Sequence, residues 1–218
     1  MRSLSSRYNF GLAGFVFLVT ISGLAQGTHD PWLILANGAK GAINIHTTRE
    51  ELVRLYGASN VADQDADVGE GEIEPETVLF PKDPERRIEI LWKNPDKRAV
   101  PASASIRWKT SRWHAVHRIS LGTTLTQLQR LNGRPFRFDL TNDGTDMANE
   151  LISWHGGSLE KDFQGEGRII LWLVCTPTQA TARKGPRDFG GESDTPEMQR
   201  LNLHITEMTW VFPPKRSP

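Results

Sequence analysis

The segment IRWKTSRWHAVHR, residues 106–118, combines aromatic and basic side chains that could bind a partner. Trp and Arg are the residue types that most often anchor interfaces between proteins. If the segment is a β-strand, Ile106 and Trp108 face the core and the basic residues next to them face solvent. The alternative is an ordinary strand with one apolar and one solvated face. The candidate binding residues are Arg107, Lys109, Arg112 and Trp113.

The segment ADQDADVGEGEIEPE, residues 62–76, carries carboxylates and no basic residue. Four of the carboxylates match positions 1, 3, 5 and 12 of the calcium-loop pattern, namely Asp63, Asp65, Asp67 and Glu74. The sixth position of that pattern calls for glycine, but this sequence has Val68, and no helix pattern follows. We therefore predict a solvated acidic loop, with calcium binding as the alternative.

Motifs of metal, covalent or cofactor chemistry are weak in this sequence. His114 and His117 would point to opposite faces of a strand, which is a poor arrangement for zinc. No G-x-S-x-G elbow is present, and no G-x-G-x-x-G opens a helix after a strand. The sequence WHGGS, residues 154–158, fits a simple turn as well as an oxyanion loop. We predict no catalytic residue, no metal ligand and no cofactor.

Two segments that repeat the same pattern must position these residues. INIHTTREELVRLYG, residues 43–57, aligns without a gap with ISLGTTLTQLQRLNG, residues 119–133. Thr48 and Thr124 each open a T-x-x-[E/Q] capping box, and Gly57 and Gly133 stand where a helix would end. Each copy predicts a helix of about two turns with leucines three residues apart on one face. These leucine pairs are Leu52 with Leu55, and Leu128 with Leu131.

Segments rich in β-branched and aromatic residues follow each predicted helix. In the first copy they are residues 77–80, 86–92 and 105–110, and in the second they are residues 151–154, 168–174 and 201–212. The sequence ILW occurs at residues 90–92 and again at 170–172, which predicts equivalent core positions for Trp92 and Trp172. The fold class is therefore α+β, with two related units that each pack a short helix on an antiparallel β-sheet. The predicted units are residues 28–116 and 117–212, followed by a tail, residues 213–218.

This arrangement resembles the repeat of β-lactamase-inhibitor proteins, in which a helix opened by Thr and closed by Gly precedes an antiparallel meander. It is also similar to small outer-membrane-assembly lipoproteins of the same fold. The sequences TVLFPKDPERRIEILWK and ISLGTTLTQLQRLNGRPF resemble those of a family of uncharacterised exported bacterial proteins, and this resemblance covers roughly residues 40–175. The resemblance implies a fold and brings no activity with it, because the disulfides and lipidated cysteine of the first two groups have no counterpart here.

The first 27 residues have the layout of a secretory signal peptide. Arg2 and Arg7 precede an uncharged apolar run, residues 10–25, which is shorter than the ~20 residues needed to span a bilayer. Small residues, Gly23 and Ala25, have the spacing of a cleavage site. We therefore expect a protein of the periplasm or the exterior, with no stable membrane insertion after cleavage.

Charge and cysteine content restrict the possible partners and functions. Lys and Arg together number 26, as do Asp and Glu, so loss of the two signal arginines leaves a formal net charge of −2. Such a chain has no electrostatic reason to bind nucleic acid. The single cysteine, Cys175, cannot form an internal disulfide. Residues 140–150 and the long Pro- and Gly-rich stretch, residues 176–198, are predicted to be loops.

Together these patterns favour an exported, non-enzymatic binding or protein-interaction protein, with another envelope protein as its candidate partner. A periplasmic hydrolase or metal-dependent enzyme without a recognisable motif is the alternative. A His or carboxylate buried in a pocket beside a second polar group would favour the enzyme. Aromatic and basic residues gathered on one surface would favour binding.

Overall fold

The computed structural model describes residues 30–35, 42–142, 147–163, 168–174 and 188–213. The predicted signal peptide, Cys175 and most of the predicted tail lie outside these residues. The helices are α1 (Arg49–Tyr56), α2 (Leu125–Asn132), α3 (Glu160–Phe163) and α4 (Pro196–Arg200), with 3-10 turns at Ala58–Asn60 and Val116–Arg118. The strands are β1 (Val61–Gly69), β2 (Glu72–Leu79), β3 (Ile88–Trp92), β4 (Pro101–Ile106), β5 (Arg137–Asn142), β6 (Met147–Ser153), β7 (Arg168–Val174), β8 (Asp188–Glu192) and β9 (His204–Val211).

Both predicted helices are confirmed, and their ends follow the capping residues. The Thr48 hydroxyl accepts a hydrogen bond from the backbone N–H of Glu51 at 3.0 Å. At α2 the bonds are reciprocal, because Gln127 donates its N–H to the Thr124 hydroxyl and its side chain accepts from the Thr124 N–H. Gly133 ends α2 with a φ of 76°, in the left-handed region that favours glycine. Local chemistry therefore determines where both helices begin and end.

The spacing predicted that both leucines of each pair face the core, but the second leucine of each pair does not. Leu52 and Leu128 are fully buried, whereas Leu55 is 53% exposed and Leu131 is 37% exposed. The face that α1 turns inward follows the step of four residues from Leu52 to Tyr56, which is half-buried and packs on the core. Three residues correspond to 300° of helix rotation, so Leu55 and Leu131 fall off the edge of the buried face.

The strands form two antiparallel sheets, and the fold is α+β as predicted. Six strands lie in the order β1-β2-β3-β4-β9-β7, and three lie in the order β6-β5-β8. The meander after α1 is extended by strands that follow α2, because β9 pairs with β4 from Ser103 opposite Val211 to Ile106 opposite Met208. Strands from both halves of the chain thus share one sheet.

One buried cluster holds the molecule together. It contains Leu52 of α1, Leu128 of α2, and alternate residues of the large sheet such as Ile90 and Trp210. The N-terminal segment, residues 30–35, joins this cluster, because Ile34 is fully buried and its carbonyl accepts a hydrogen bond from Trp210 Nε1 at 3.1 Å. Among the described residues, no helix is long and apolar enough to cross a membrane.

The acidic segment is a β-hairpin, so its prediction as a loop was wrong. β1 and β2 pair from Val61 opposite Leu79 to Asp67 opposite Ile73, and the chain reverses at Glu70 and Gly71. Both turn residues have a positive φ, 53° and 79°, as two-residue hairpin turns require. The glycines of the turn outweigh the low strand propensity of the acids.

Two other predicted loops contain regular structure. Residues 140–150 belong largely to the β5–β6 hairpin, and residues 143–146 lie outside the described part of the chain. The end of the segment 176–198 forms β8 and the start of α4, while residues 175–187 lie outside the described part. Polar and glycine-rich composition concealed these strands. For β8 the sequence gives no local signal either, because its pairing with β5 is non-local.

The two ILW sequences face opposite sides of the sheet. In β3, Ile90 and Trp92 are buried in the core and Leu91 points the other way. In β7, Leu171 is buried in the core, while Ile170 and Trp172 are half-buried on the opposite face. A shift of one residue moves every side chain of a strand to the other face. Trp172 is therefore not the core counterpart of Trp92, which corrects the prediction.

The strand predicted at residues 105–110 ends at Ile106. Residues 107–113 form turns and irregular chain, held by the Arg112 N–H that donates to the Glu85 carbonyl at 2.8 Å. Trp113 then enters the core at 1% exposure, whereas Trp108 remains half-buried. The two tryptophans thus exchange the environments predicted for them, since strand alternation does not continue past Ile106.

Candidate functional site

One face of the large sheet, opposite the buried cluster, gathers charged, small and aromatic residues from several strands. The register places Glu76 opposite Leu91, Glu89 opposite Ser105, and Glu207 opposite Trp172. Successive side chains of a strand alternate between faces, so all of these residues lie on the same side. We call this surface the polar sheet face, and it includes Gln64, Glu76, Val78, Arg87, Glu89, Leu91, Ser103, Ser105, Arg107, Trp108, Arg168, Ile170, Trp172, Glu207, Thr209 and Val211.

The centre of its charged half is Glu89, whose side chain is only 9% exposed. Arg87 donates from Nη2 to Glu89 Oε1 at 3.0 Å, and Arg107 Nε lies 3.4 Å from Glu89 Oε2. Arg107 also reaches Glu207, with 3.3 Å between Nη2 and Oε1. A buried carboxylate is tolerated only when it is paired in this way. The two arginines are thus held by Glu89, and the more exposed Arg107 faces solvent at the edge of the cluster.

Burial raises the pKa of two neighbouring carboxyls. The pKa of Glu76 lies above its ordinary value, first because of desolvation and then because of repulsion from Glu89. Its Oε1 accepts a hydrogen bond from Gln64 Nε2 at 2.6 Å. Desolvation also raises the pKa of Glu207, although the charge of Arg107 opposes this shift. Desolvation is thus the main cause of the raised pKa at both Glu76 and Glu207.

Arg87 connects this cluster to an aromatic ring. Its guanidinium lies 4.5 Å from the centroid of the Trp108 ring, within cation–π range. Arg87 Nη2 also donates to Gln64 Oε1 at 3.3 Å. Arg87 Nε is buried and is without a hydrogen-bond partner in the described structure. The Trp108 side chain therefore lies at this end of the polar sheet face rather than in the core.

Short side chains occupy the middle strands of the face. Ser105 and Thr209 lie opposite each other on β4 and β9, with their hydroxyl oxygens 2.9 Å apart. Half-buried Ile170 and Trp172 stand on β7 beyond them. These short side chains separate the charged residues of β2 and β3 from Ile170 and Trp172 of β7, and Glu207 of β9 lies directly opposite Trp172.

Two of the four predicted binding residues lie at or near this surface. Arg107 contributes directly through its pairs with Glu89 and Glu207. Lys109 is exposed in the turn that follows β4, two residues further along the chain. Both positions leave the charged groups accessible to a partner.

The other two predicted residues lie elsewhere. Arg112 is exposed, and its guanidinium lies 4.5 Å from the centroid of Trp32. Trp113 is buried, packs edge-on against Trp32 with 5.2 Å between the ring centroids, and donates from Nε1 to the Arg86 carbonyl at 2.7 Å. A side chain so enclosed cannot contact a partner without local unfolding, so the prediction of Trp113 as a binding residue is corrected.

His114 is buried beside a carboxylate, but both of its ring nitrogens are engaged. Nδ1 lies 2.9 Å from the Ala115 carbonyl oxygen, and Nε2 lies 3.1 Å from Asp30 Oδ2. Arg118 approaches both groups, with Nη1 at 3.3 Å from His114 Nε2 and Nη2 at 3.2 Å from Asp30 Oδ2. A general base needs a free nitrogen that reaches a substrate. This histidine instead fastens the N-terminal segment to the residues before α2.

The carboxylates proposed for calcium do not surround a common point. Asp63, Asp65 and Asp67 lie along β1, whereas Glu74 lies on β2 opposite Ala66 and so points to the other face of the hairpin. Asp63 accepts hydrogen bonds from Arg49 and Thr77 and pairs with Arg98 at 2.7 Å. Burial raises its pKa, but these donors and cations more than offset that effect and lower the pKa below its ordinary value. Among the described residues, no group of three or more His, Cys, Asp or Glu side chains is placed to hold a metal ion.

Sequence reasoning missed most of the polar sheet face. Glu89 and Glu207 are single acids inside apolar strands, IEILW and HITEMTWV, where alternation marks them as pointing away from the core. That signal is readable from the sequence. It does not reveal that Arg107 would lie between the two acids, because this depends on the pairing of β4 with β9.

No family model matches this sequence, and we found no matching curated protein or solved structure. The resemblance to exported bacterial proteins therefore stays a prediction.

Proposed function

We propose that the protein is an exported, non-enzymatic binding protein that contacts another envelope protein through the polar sheet face. The observation that supports this proposal best is the combination of paired arginines, short central side chains and a half-buried Trp172 on one ordered surface. Arg and Trp are the residues that contribute most to protein interfaces. The backbone of a sheet is already ordered, so binding there has a low entropic cost.

The partner would meet different chemistry on the two sides of the surface. Arg107 has a side chain that is 52% exposed, so it keeps donors free for a carboxylate or carbonyl of the partner. Trp172 and Ile170 offer apolar area on the far side. A partner segment that places an acidic or carbonyl group near Arg107 and an apolar side chain near Trp172 fits this arrangement.

Export rests on the signal-peptide pattern of the first 27 residues. Expression in a bacterium should yield a periplasmic or secreted protein that has lost 25–27 residues, which N-terminal sequencing detects. Recovery of uncleaved protein from the cytoplasm would contradict the localisation and leave the binding surface unaffected.

The binding proposal is tested by capture of partners from envelope extract with the mature protein. Arg107→Glu combined with Trp172→Ala should lose the captured protein, since a central interface Trp or Arg can contribute on the order of 2 kcal/mol or more. Leu55→Ala combined with Arg54→Glu is the matched control, because it removes an apolar residue and reverses a basic one on the exposed part of α1, with the same change in net charge. Equal capture by all three proteins would contradict the proposal.

One observation favours the enzymatic alternative. Glu76, with its raised pKa, lies near Glu89, which two arginines keep paired, and two carboxyls in unlike environments are typical of acid–base catalysis. A hydrolase that uses this pair would lose its activity in Glu76→Gln while the fold is retained. Partner capture that is unaffected by the same variant would separate the two functions.

A further inference from the structure

A groove with a volume of about 500 Å³ lies between α2 and α4, away from the polar sheet face. This volume is within the range of sites for small molecules. Arg130 and Arg134 line it together with polar residues of α2 and α4. Asp194 is the one acidic residue among those that line it. The groove therefore has two cations and one anion along its walls.

Hydrogen bonds connect polar side chains of α2 and α4 along the groove. Thr126 donates from its hydroxyl to Gln199 Oε1 at 2.9 Å, and Gln199 Nε2 donates to Gln129 Oε1 at 3.3 Å. Ser193, which is fully buried, also donates to Gln129 Oε1, at 3.2 Å. These side chains are held in place before any ligand arrives, which lowers the entropic cost of binding.

The internal repeat shows that the positive charge here is specific to the second copy. Arg54 of α1 aligns with Arg130, and in α1 the carboxylate of Glu51 lies 3.7 Å from Arg54. The residue that aligns with Glu51 is Gln127, an uncharged residue whose side chain folds back onto the Thr124 N–H. Among the described residues, Arg130 consequently has no acidic partner.

A second arginine is added at the end of the same helix. Arg134 aligns with Ala58 of the first copy, so α1 has no corresponding cation. Arg134 Nη1 donates to the His155 carbonyl at 3.0 Å, which fixes the guanidinium beside the groove and leaves its other N–H groups for a ligand. Planar guanidinium groups bind carboxylates and phosphates in pairs of parallel hydrogen bonds.

We propose that this groove binds a small organic anion whose carboxylate or phosphate group is held by Arg130 and Arg134. Gln129 Nε2, which has no hydrogen-bond partner among the described residues, can donate to the rest of the ligand. The carboxylate of Asp194 also lines the groove, and its negative charge repels an anionic ligand and so weakens binding.

The experiment is a calorimetric titration of the mature protein with succinate and, separately, with inorganic phosphate. At least one probe should bind. Tighter binding of succinate would indicate a carboxylate ligand, and tighter binding of phosphate would indicate a phosphate ligand. Arg130→Gln should weaken that binding by about tenfold, which is the value of one charge-assisted hydrogen bond. Asp194→Asn should strengthen it.

Arg54→Gln is the control, since it removes the aligned arginine of α1 and changes net charge equally. Arg130 is exposed, so its variant should stay folded, and circular dichroism verifies this. Failure of both probes to bind the wild-type protein would overturn the proposal. An equal loss in Arg54→Gln and Arg130→Gln would also overturn it, because the effect would then come from net charge. None of these outcomes bears on partner capture by the polar sheet face.

Discussion

Asp63 connects the acidic hairpin to the rest of the molecule. Its carboxylate receives Arg49 from the start of α1, Arg98 from the loop before β4, and the hydroxyl of Thr77 from β2. Thr77 in turn accepts a hydrogen bond from Trp92 Nε1 at 2.9 Å. Asp63 is thus linked through Thr77 to the buried Trp92, whereas the other acidic residues of β1 are solvated.

Asp63→Asn should destabilise the protein by about 1–2 kcal/mol at pH 7, because charge-assisted hydrogen bonds to both arginines are weakened. The pKa of Asp63 is lowered in the folded state, so its contribution is present above the ordinary carboxyl pKa and is lost as pH falls through the lowered value. Urea unfolding at several pH values should therefore show the two proteins converging in acid. Asp65→Asn, on the same strand and with no ion pair among the described residues, serves as the control and should change stability by less than about 0.5 kcal/mol.

Glu76 has the opposite dependence on pH. Its raised pKa means that the folded state holds the proton more tightly than the unfolded chain, so stability falls as pH rises from the ordinary carboxyl pKa through the raised value. Glu76→Gln keeps an acceptor for Gln64 and removes the buried charge, so it should be more stable than wild type at pH 7. Thermal melts at pH 4 and pH 7 measure this difference. A variant that is less stable than wild type at pH 7 would show that the carboxylate is favourably paired.

At the scale of elements, Asn132 joins α2 to the turn before α3. Its Nδ2 donates to the carbonyls of Arg134 and Trp154, both at 3.0 Å, and its Oδ1 accepts from the Leu159 N–H. Space around it is so limited that a Cβ on Gly157 would lie 2.0 Å from Asn132 Oδ1. The first copy has Tyr56 at the aligned position, so this connection belongs to the second copy alone.

Asn132→Ala should cost about 2–4 kcal/mol, because it leaves buried backbone groups without partners. Chemical denaturation measures the loss. Leu131→Ala changes the adjacent, more exposed residue of the same helix and should cost much less. Similar losses for both variants would mean that helix propensity, and not the hydrogen bonds of Asn132, accounts for the effect.

The elements differ in how far the sequence determines them. Thr48, Thr124 and the terminal glycines predict both helices, because capping depends on residues a turn apart. The β1–β2 hairpin was readable from Gly69-Glu70-Gly71, but its acids argued for a loop. The sequence ILW alone could not predict which side of the sheet Trp172 faces, because the pairing of β7 with β9 decides this.

At the scale of the whole molecule, the pairing of β4 with β9 creates the candidate site. It brings Arg107, at the end of the first half of the chain, between Glu89 and Glu207, which come from different halves. The division into two related units stays a prediction from the repeat, while the shared sheet and shared core make the halves interdependent. The candidate binding residues are brought together by long-range register, which sequence patterns do not encode.

The central claim is that a partner binds the polar sheet face, and site-specific photo-crosslinking tests it most directly. A photoreactive residue replaces Lys109 or Trp172 in one set of variants, and Leu55 or Leu131, which are exposed on the helices, in the control set. All variants are expressed in the envelope and irradiated. The account predicts one and the same crosslinked partner from Lys109 and Trp172 and none from Leu55 or Leu131. Crosslinks from the helix positions alone, or from no position, would contradict it.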